Sequence, residues 1–170
     1  MARTAENVAS AGDGATYVHC DVTDEASIDA AFTEAEAGFG PVGILVNNAG
    51  AAETAPFMKT DAALLRRMLD LNVGGVFACT RRALPAMRAL ERGRIVNIAS
   101  TAGLTGAPYT TAYTAAKHAV VGMTRALAKE LAATSVTVNA VCPSFTDTDL
   151  ISRSLDMIAS RSGRDRDAIL

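Results

Sequence analysis

Arg94-Ile-Val-Asn-Ile-Ala-Ser100 is an almost continuous apolar run that ends in a hydroxyl group. Runs of this kind are typical of a buried strand in a parallel sheet, where both faces are covered. Tyr113-Thr-Ala-Ala-Lys117 begins thirteen residues after Ser100, and a Tyr and a Lys four residues apart share one face of a helix. Ligands of open α/β sheets bind at the carboxyl ends of the strands. These residues therefore predict a site at that edge of the sheet.

Strands and helices alternate on both sides of this stretch. The apolar runs predict four strands, at Ala15–Cys20, 44–46, 94–99 and 136–141. Apolar residues at helical spacing predict helices after Asp24, over about 61–90 with a kink at Pro85, over 111–133, and over Asp149–Ser160. The alternation favours an α/β fold with a doubly wound, Rossmann-like parallel sheet, incomplete and in three α/β/α layers.

Composition limits the class of protein. A chain of 170 residues suits one domain, here 1–170. A net charge of −2 gives no reason to expect nucleic acid as a partner. The three cysteines have no metal-ligand spacing, so no metal site is predicted, and isolated thiols fit a reducing compartment. No signal peptide opens the chain, and no apolar run approaches ~18 residues. A cytoplasmic protein without a membrane span is expected.

The residue types suit reduction of a carbonyl group. Such a reaction needs a proton donor and a group that holds the oxygen. A Tyr phenol has an ordinary pKa of roughly 10, which a nearby ammonium lowers. Tyr113 would be the acid, Lys117 the ammonium and Ser100 the second donor. Taken singly, each feature has another explanation: a surface Tyr/Lys pair, a Ser in a turn, or a capping or kink role for Asn72.

Five motifs in order along the chain give a family resemblance. They are Cys20-Asp21-Val22, Asn47-Asn-Ala-Gly50, Asn72, Ser100 with Tyr113-Thr-Ala-Ala-Lys117, and Asn139-Ala-Val-Cys-Pro143-Ser-Phe-Thr-Asp-Thr148. Together they resemble the short-chain dehydrogenase/reductase family. The likeness is strongest to 3-oxoacyl reductases, 3-hydroxyacyl-CoA dehydrogenases and aromatic-polyketide ketoreductases, through Gly93–Gly103 and Lys117–Gly122.

The resemblance implies a set of roles. Asn72, Ser100, Tyr113 and Lys117 would be catalytic, with Asn72 holding a water that links Lys117 to solvent. NAD or NADP would be the cofactor, and a 3-oxoacyl or 3-hydroxyacyl thioester or a similar carbonyl compound the substrate. Family members commonly form tetramers through the two long helices, here about 61–90 and 111–133. The cofactor contacts would be Asp21, Val22, Asn47, Ala49, Gly50, Tyr113, Lys117, Pro143, Thr146 and Thr148.

The chain also departs from the family pattern. It contains no Gly-rich strand–turn–helix, the element that holds a dinucleotide pyrophosphate. The residue that selects NAD or NADP lies in that same region of the family. Ser144 stands where the family usually has Gly.

These departures lead to a second hypothesis. The chain resembles the middle of a family member, so an inactive fragment or remnant is the alternative to an enzyme. In the family order 3-2-1-4-5-6, two strands separate Ala15–Cys20 from the strand at 44–46. We therefore expect residues 1–40 to be loosely held or wrongly docked, and the other three strands to pair with each other.

Overall fold

The structure is a computed structural model, and it describes residues 14–144. The elements, in chain order, are α1 (Glu25–Phe39), β1 (Ile44–Asn47), a 3₁₀ turn (Phe57–Lys59), α2 (Ala62–Leu69), a π-helical turn (Asp70–Gly74), α3 (Gly75–Ala89), β2 (Gly93–Ile98), a 3₁₀ turn (Thr101–Gly103), α4 (Thr111–Glu130) and β3 (Val136–Val141). The alternation of strands and helices confirms the predicted α/β class.

The three strands form one parallel sheet in the order β1-β2-β3. In the middle of the sheet Val46 pairs with Val96, which pairs with Asn139. Because β2 is central, its Ile95 is fully buried. The expected pairing of these strands is confirmed. The parallel arrangement brings the carboxyl ends of β1 and β2 together, next to Asn48 and Ser100.

The helices pack against one face of the sheet. Leu45, Ile95 and Val138 lie on that face, in a core with residues of α1 and α3 that include Ile28, Phe32 and Met87. The intervening residues of each strand point to the other face of the sheet. There Ile44, Val46 and Val141 are 60%, 55% and 49% exposed. Within residues 14–144 the molecule therefore supplies two of the three layers, one helical layer and the sheet.

The first part of the described chain corrects two expectations. Residues 15–20 form no strand, so the predicted strand at Ala15–Cys20 is wrong. Helix α1, in contrast, is firmly docked, because Ile28 and Phe32 are buried and Arg82 of α3 bonds Glu36 at 2.8 Å. Arg82 also pairs with Asp29 and covers the Phe32 ring. The expectation of a loosely held 1–40 region fails for α1, since its apolar face packs against residues of α3 and the sheet.

The helical region predicted over 61–90 is interrupted away from its proline. Asp61 caps α2 by accepting the Leu64 N–H at 2.7 Å, and α3 continues through Pro85. The break is the π-helical turn Asp70–Gly74, which contains Asn72. The predicted helix Asp149–Ser160 lies outside the described residues. No helix in the described part of the chain is long and apolar enough to cross a membrane.

Candidate active site

Ser100 and Tyr113 meet at the carboxyl end of β2. Ser100 leaves the strand and caps the following 3₁₀ turn, where its Oγ accepts the Ala102 N–H at 3.1 Å. Tyr113 lies in the first turn of α4, and the Ser100 side chain is near enough to affect the pKa of its phenol. The strand end at Ser100 and the start of α4 therefore lie side by side, as the sequence predicts.

Gly103 allows this close approach of the 3₁₀ turn to α4. A Cβ atom on Gly103 would lie 2.7 Å from the Lys117 carbonyl oxygen and 3.0 Å from a methyl group of Val121. These are contacts with helix backbone and a packed side chain, which cannot move away cheaply. The turn after Ser100 thus fits against α4 only because residue 103 has no side chain.

Lys117 is buried, with 7% of its surface exposed. Its Nζ donates a hydrogen bond to the Ile98 carbonyl oxygen at 2.9 Å and lies 5.7 Å from the centre of the Tyr113 ring. Burial lowers the pKa of Lys117, and the nearby Cys142 raises it in part. The lysine therefore releases its proton more easily than an exposed lysine does.

The phenol of Tyr113 does not follow the electrostatic expectation. Burial raises its pKa above the ordinary value, and the hydrogen bond with Ser100 lowers it in part. The ammonium of Lys117 was expected to lower this pKa, but in this geometry it faces the ring, 5.7 Å from its centre. Tyr113 is thus held as a neutral phenol, which is the form that donates a proton.

Asn72 lies beside Lys117 because of the π-helical turn. Its Nδ2 donates to the carbonyl oxygens of Ala51 and Met68, each at 3.0 Å. Its Oδ1 is the one buried side-chain polar atom of residues 14–144 without a hydrogen-bond partner. A Cβ atom on Gly50 would stand 2.6 Å from this Oδ1 and 3.7 Å from Lys117 Nζ. Gly50, Asn72 and Lys117 therefore enclose one small polar space.

A groove of about 230 Å³ runs along the outer edge of β1. Three groups of residues line it: Cys20, Val22 and Phe32 before and on α1, Leu45 to Ala49 on the strand, and Gly75, Val76 and Cys79 on α3. Asp21 lies next to the groove, and its carboxylate accepts the Thr23 N–H at 2.9 Å and hydroxyl at 2.7 Å. These bonds lower the pKa of Asp21. Most of the residues predicted to contact the cofactor before Asn72 thus surround one groove.

The segment after β3 is only partly described. Thr101 N–H donates to the Pro143 carbonyl oxygen at 2.9 Å, which places Pro143 beside the turn after Ser100. Ser144, where the family usually has Gly, is exposed. Thr146 and Thr148 lie outside the described residues. No group of three or more His, Cys, Asp or Glu residues within 14–144 could hold a metal ion.

Sequence reasoning missed a set of buried polar residues below the site. The side chain of Asn47 is bonded to Asn97 and Thr80, so its amide belongs to the protein interior. Asn97 is bonded in turn to Thr124 of α4. A signal was available, because an Asn inside the apolar run Arg94–Ala99 needs hydrogen-bond partners once it is buried.

Comparison with known proteins places this geometry among relatives. The family described as short chain dehydrogenase matches residues 1–158. The chain is 41% identical over 155 residues to a putative ketoacyl reductase of the granaticin polyketide synthase of Streptomyces violaceoruber, with 90% of this chain and 57% of that protein covered. It is 39% identical over 146 residues to the 3-oxoacyl-acyl-carrier-protein reductase MabA of Mycobacterium avium, with 86% and 57% covered.

A solved structure gives the same result. A variant of actinorhodin polyketide ketoreductase, determined with NADPH, superposes with a TM-score of 0.83 at 37% identity. The match covers 88% of this chain and 58% of that one. The chain thus spans a little under three fifths of the length of these relatives.

Proposed function

Because the chain belongs to the short-chain dehydrogenase family, we propose that Ser100, Tyr113, Lys117 and Asn72 form the acid–base centre of an NAD(P)-dependent oxidoreductase. The reaction interconverts a ketone and a secondary alcohol. The observation that carries this proposal is the placement of the Tyr113 phenol beside the Ser100 side chain and 5.7 Å, measured from its ring centre, from the Nζ of the buried Lys117.

Tyr113 is the proton donor in reduction. Negative charge develops on the substrate oxygen, and the phenol transfers its proton to that oxygen while the Ser100 hydroxyl donates a hydrogen bond to it. The raised pKa of Tyr113 favours the protonated phenol, which is the form that transfers a proton in reduction.

Lys117 and Asn72 support the return of that proton. Lys117 Nζ keeps donors beyond its bond to Ile98, since an ammonium has three. Asn72 Oδ1 is an acceptor without a protein partner among the described residues, on the same small space beside Gly50. A water bonded to both would connect Lys117 to the site's surroundings.

The residues present suit part of a nicotinamide nucleotide. The groove beside β1, with Asp21, Val22 and Ala49, has room for the adenine end. Gly50, Lys117 and Pro143 stand nearer to Ser100, where Lys117 would hold the ribose hydroxyls next to the nicotinamide. Once bound, the nucleotide supplies or accepts the hydride. The residue that selects NAD or NADP is not identified, so either nucleotide fits the proposal.

The proposed substrate is a 3-oxoacyl or 3-hydroxyacyl thioester, or a carbonyl compound of similar shape. Support comes from the names of the two relatives, a ketoacyl reductase and a 3-oxoacyl reductase. A homotetramer formed through the helices of 61–90 and 111–133 is proposed with it. We also propose that the protein acts in the cytoplasm on a small-molecule substrate, and that neither nucleic acid nor a membrane is its partner.

A second candidate is a non-catalytic fragment of such an enzyme. It is favoured by one observation, that the 170 residues contain no Thr-Gly-x-x-x-Gly-x-Gly motif. Helix amino ends with Gly-rich turns supply the backbone donors that bind a pyrophosphate. Titration of the purified chain with NADH and NADPH, followed by nicotinamide fluorescence, separates the candidates. Micromolar affinity for either nucleotide excludes the hypothesis that the chain is a non-catalytic fragment.

The acid–base role of Tyr113 is tested by Tyr113→Phe. The variant is compared with the parent sequence. Both proteins carry the same Gly-rich nucleotide-binding segment, joined ahead of residue 1. Positioned acid–base catalysis contributes about 10²–10⁴-fold, so turnover of a 3-oxoacyl thioester falls by that factor. Tyr109→Phe, which alters an exposed tyrosine, is the matched control. Parent-like turnover in Tyr113→Phe removes the phenol from the mechanism.

A further inference from the structure

A row of four buried polar side chains crosses the interface between the sheet and two helices. Asn47 Nδ2 donates to Asn97 Oδ1 at 2.8 Å and to Thr80 Oγ1 at 3.1 Å. Asn97 Nδ2 donates to Thr124 Oγ1 at 2.9 Å. The four residues are 1–7% exposed. Water has little access here, so an unmade bond would leave a buried polar group unsatisfied and destabilise the folded chain.

The direction of donation along the row is set by its last member. Thr124 Oγ1 donates its proton to the Val120 carbonyl oxygen at 2.8 Å, so it can only accept from Asn97. Asn97 must therefore turn its NH₂ group toward Thr124 and its Oδ1 toward Asn47. Among residues 14–144, no fully buried side-chain atom of the row lacks a hydrogen-bond partner. The donation from Thr124 to Val120 thus leaves one orientation for the Asn97 amide.

Each member of the row stands on an element that carries a residue of the proposed site. Asn97 precedes Ser100 by three residues on β2, and Asn47 ends β1 just before Gly50. Thr124 follows Lys117 by seven residues on α4, about two helical turns, and so lies on the same face. Thr80 is on α3, which continues the helical turn of Asn72.

Apolar packing alone would leave the register of α4 poorly defined. Where α4 packs near the end of β2, against Ala99, its contacts come from Val120 and Val121, two side chains of the same size and shape. Apolar contact has no direction, whereas a hydrogen bond requires a distance near 2.9 Å and a nearly linear angle. Setting register is also the best-attested role of buried polar groups.

We propose that Asn97 and Thr124 are positioning residues, whose hydrogen bond sets the register of α4 against β2 and so places Tyr113 beside Ser100. The proposal rests on the proposed function for its catalytic meaning. Its structural content does not, because the relation between Tyr113 and Ser100 can be observed without turnover. If Tyr113→Phe has no effect on turnover, the positioning role still stands. If the positioning test fails, the proposed acid–base role of Tyr113 still stands.

The test uses the ¹⁹F resonance of 3-fluorotyrosine at position 113, assigned by its loss in Tyr113→Phe. Thr124→Val keeps the shape of the side chain and removes the acceptor that Asn97 needs. The expected result at pH 7 is a shifted or broadened resonance, because the phenol loses its fixed position beside Ser100. Thr124→Ser keeps the hydroxyl and restores the position found in the parent chain.

Two further variants separate positioning from general loss of stability. Val138→Ala removes buried methyl groups from β3 and leaves every hydrogen-bonding group of the row in place, so its resonance at 113 stays in place. Thr124→Cys, with a weaker acceptor of similar size, replaces Thr124→Val if circular dichroism shows that the latter is unfolded. An unmoved resonance in the folded Thr124 variant, or an equal shift in Val138→Ala, overturns the proposal.

Discussion

Gly50 and Asn72 approach so closely that a Cβ atom on Gly50 would lie 2.6 Å from Asn72 Oδ1. Real Cβ atoms do not come this near to an oxygen, so any side chain at residue 50 must displace Asn72. The same Cβ would be 3.7 Å from Lys117 Nζ. Gly50 is therefore part of the proposed site through the space that it leaves open.

Gly50→Ala should destabilise the protein by roughly 1–3 kcal/mol, the usual cost of overpacking a filled interior. Gly122→Ala is the matched control, because a Cβ on Gly122 meets nothing within 4 Å and lies inside α4. The control should gain about 0.5–1 kcal/mol from reduced backbone entropy. Urea unfolding followed by circular dichroism measures both changes, and equal stability of the two variants would show that Asn72 can move freely.

The thiol of Cys79 should make the protein less stable in alkali. Burial, with a smaller contribution from Cys20, raises the pKa of Cys79 from 9.0 to about 11. A group whose pKa is higher in the folded state stabilises that state below pH 9, and this contribution is lost as the pH rises through 11. Cys79→Ala has no such group.

The Cys79 prediction is checked by urea unfolding at pH 8 and pH 10.5. At pH 8, Cys79→Ala should be about 1 kcal/mol or more less stable than the parent, since a buried side chain is truncated. At pH 10.5 the difference in the free energy of unfolding between the parent and Cys79→Ala should be smaller, because only the parent loses the contribution of the thiol. Cys142→Ala controls for the loss of a thiol elsewhere. If this difference is equal or larger at pH 10.5, the raised pKa assigned to Cys79 is wrong.

Hydrogen exchange should follow the sheet and the helical core. Backbone amides of β2 should exchange most slowly, because this strand is paired on both edges and its Ile95 is fully buried. Intermediate protection is expected around Ile28–Phe32 in α1, and almost none over 15–20, which has no strand partner. Strong protection over 15–20 would show that this segment has found a partner.

The free face and edge of the sheet should promote self-association. Ile44 and Val46 are more than half exposed on β1, and uncharged edge strands tend to recruit further strands. Val46→Lys should therefore reduce the population of larger species in sedimentation velocity by several-fold. Leu90→Lys, at an exposed apolar position beyond the end of α3, is the control. Equal behaviour of the two variants would point to an interface elsewhere.

The sequence predicted most of the fold because the periodicity of apolar residues is a local property. Three strands and the helix from Thr111 lie close to their predicted positions. The same holds for the site. Only a 3₁₀ turn and the start of α4 lie between Ser100 and Tyr113, and Lys117 follows Tyr113 by one helical turn. Local spacing was enough to predict that these three residues lie near one end of β2.

What the sequence determined by itself was the set of elements and the chemistry at their ends. The tertiary structure alone decided the rest, because it depends on contacts between residues far apart in the chain. The π-helical turn that turns Asn72 toward Lys117 has no recognisable residue pattern. Burial, not the lysine charge, dominates the pKa of Tyr113, and burial exists only after the helices have packed. The bond of Asn97 to Thr124 joins residues 27 positions apart, a pairing that only the folded chain can make.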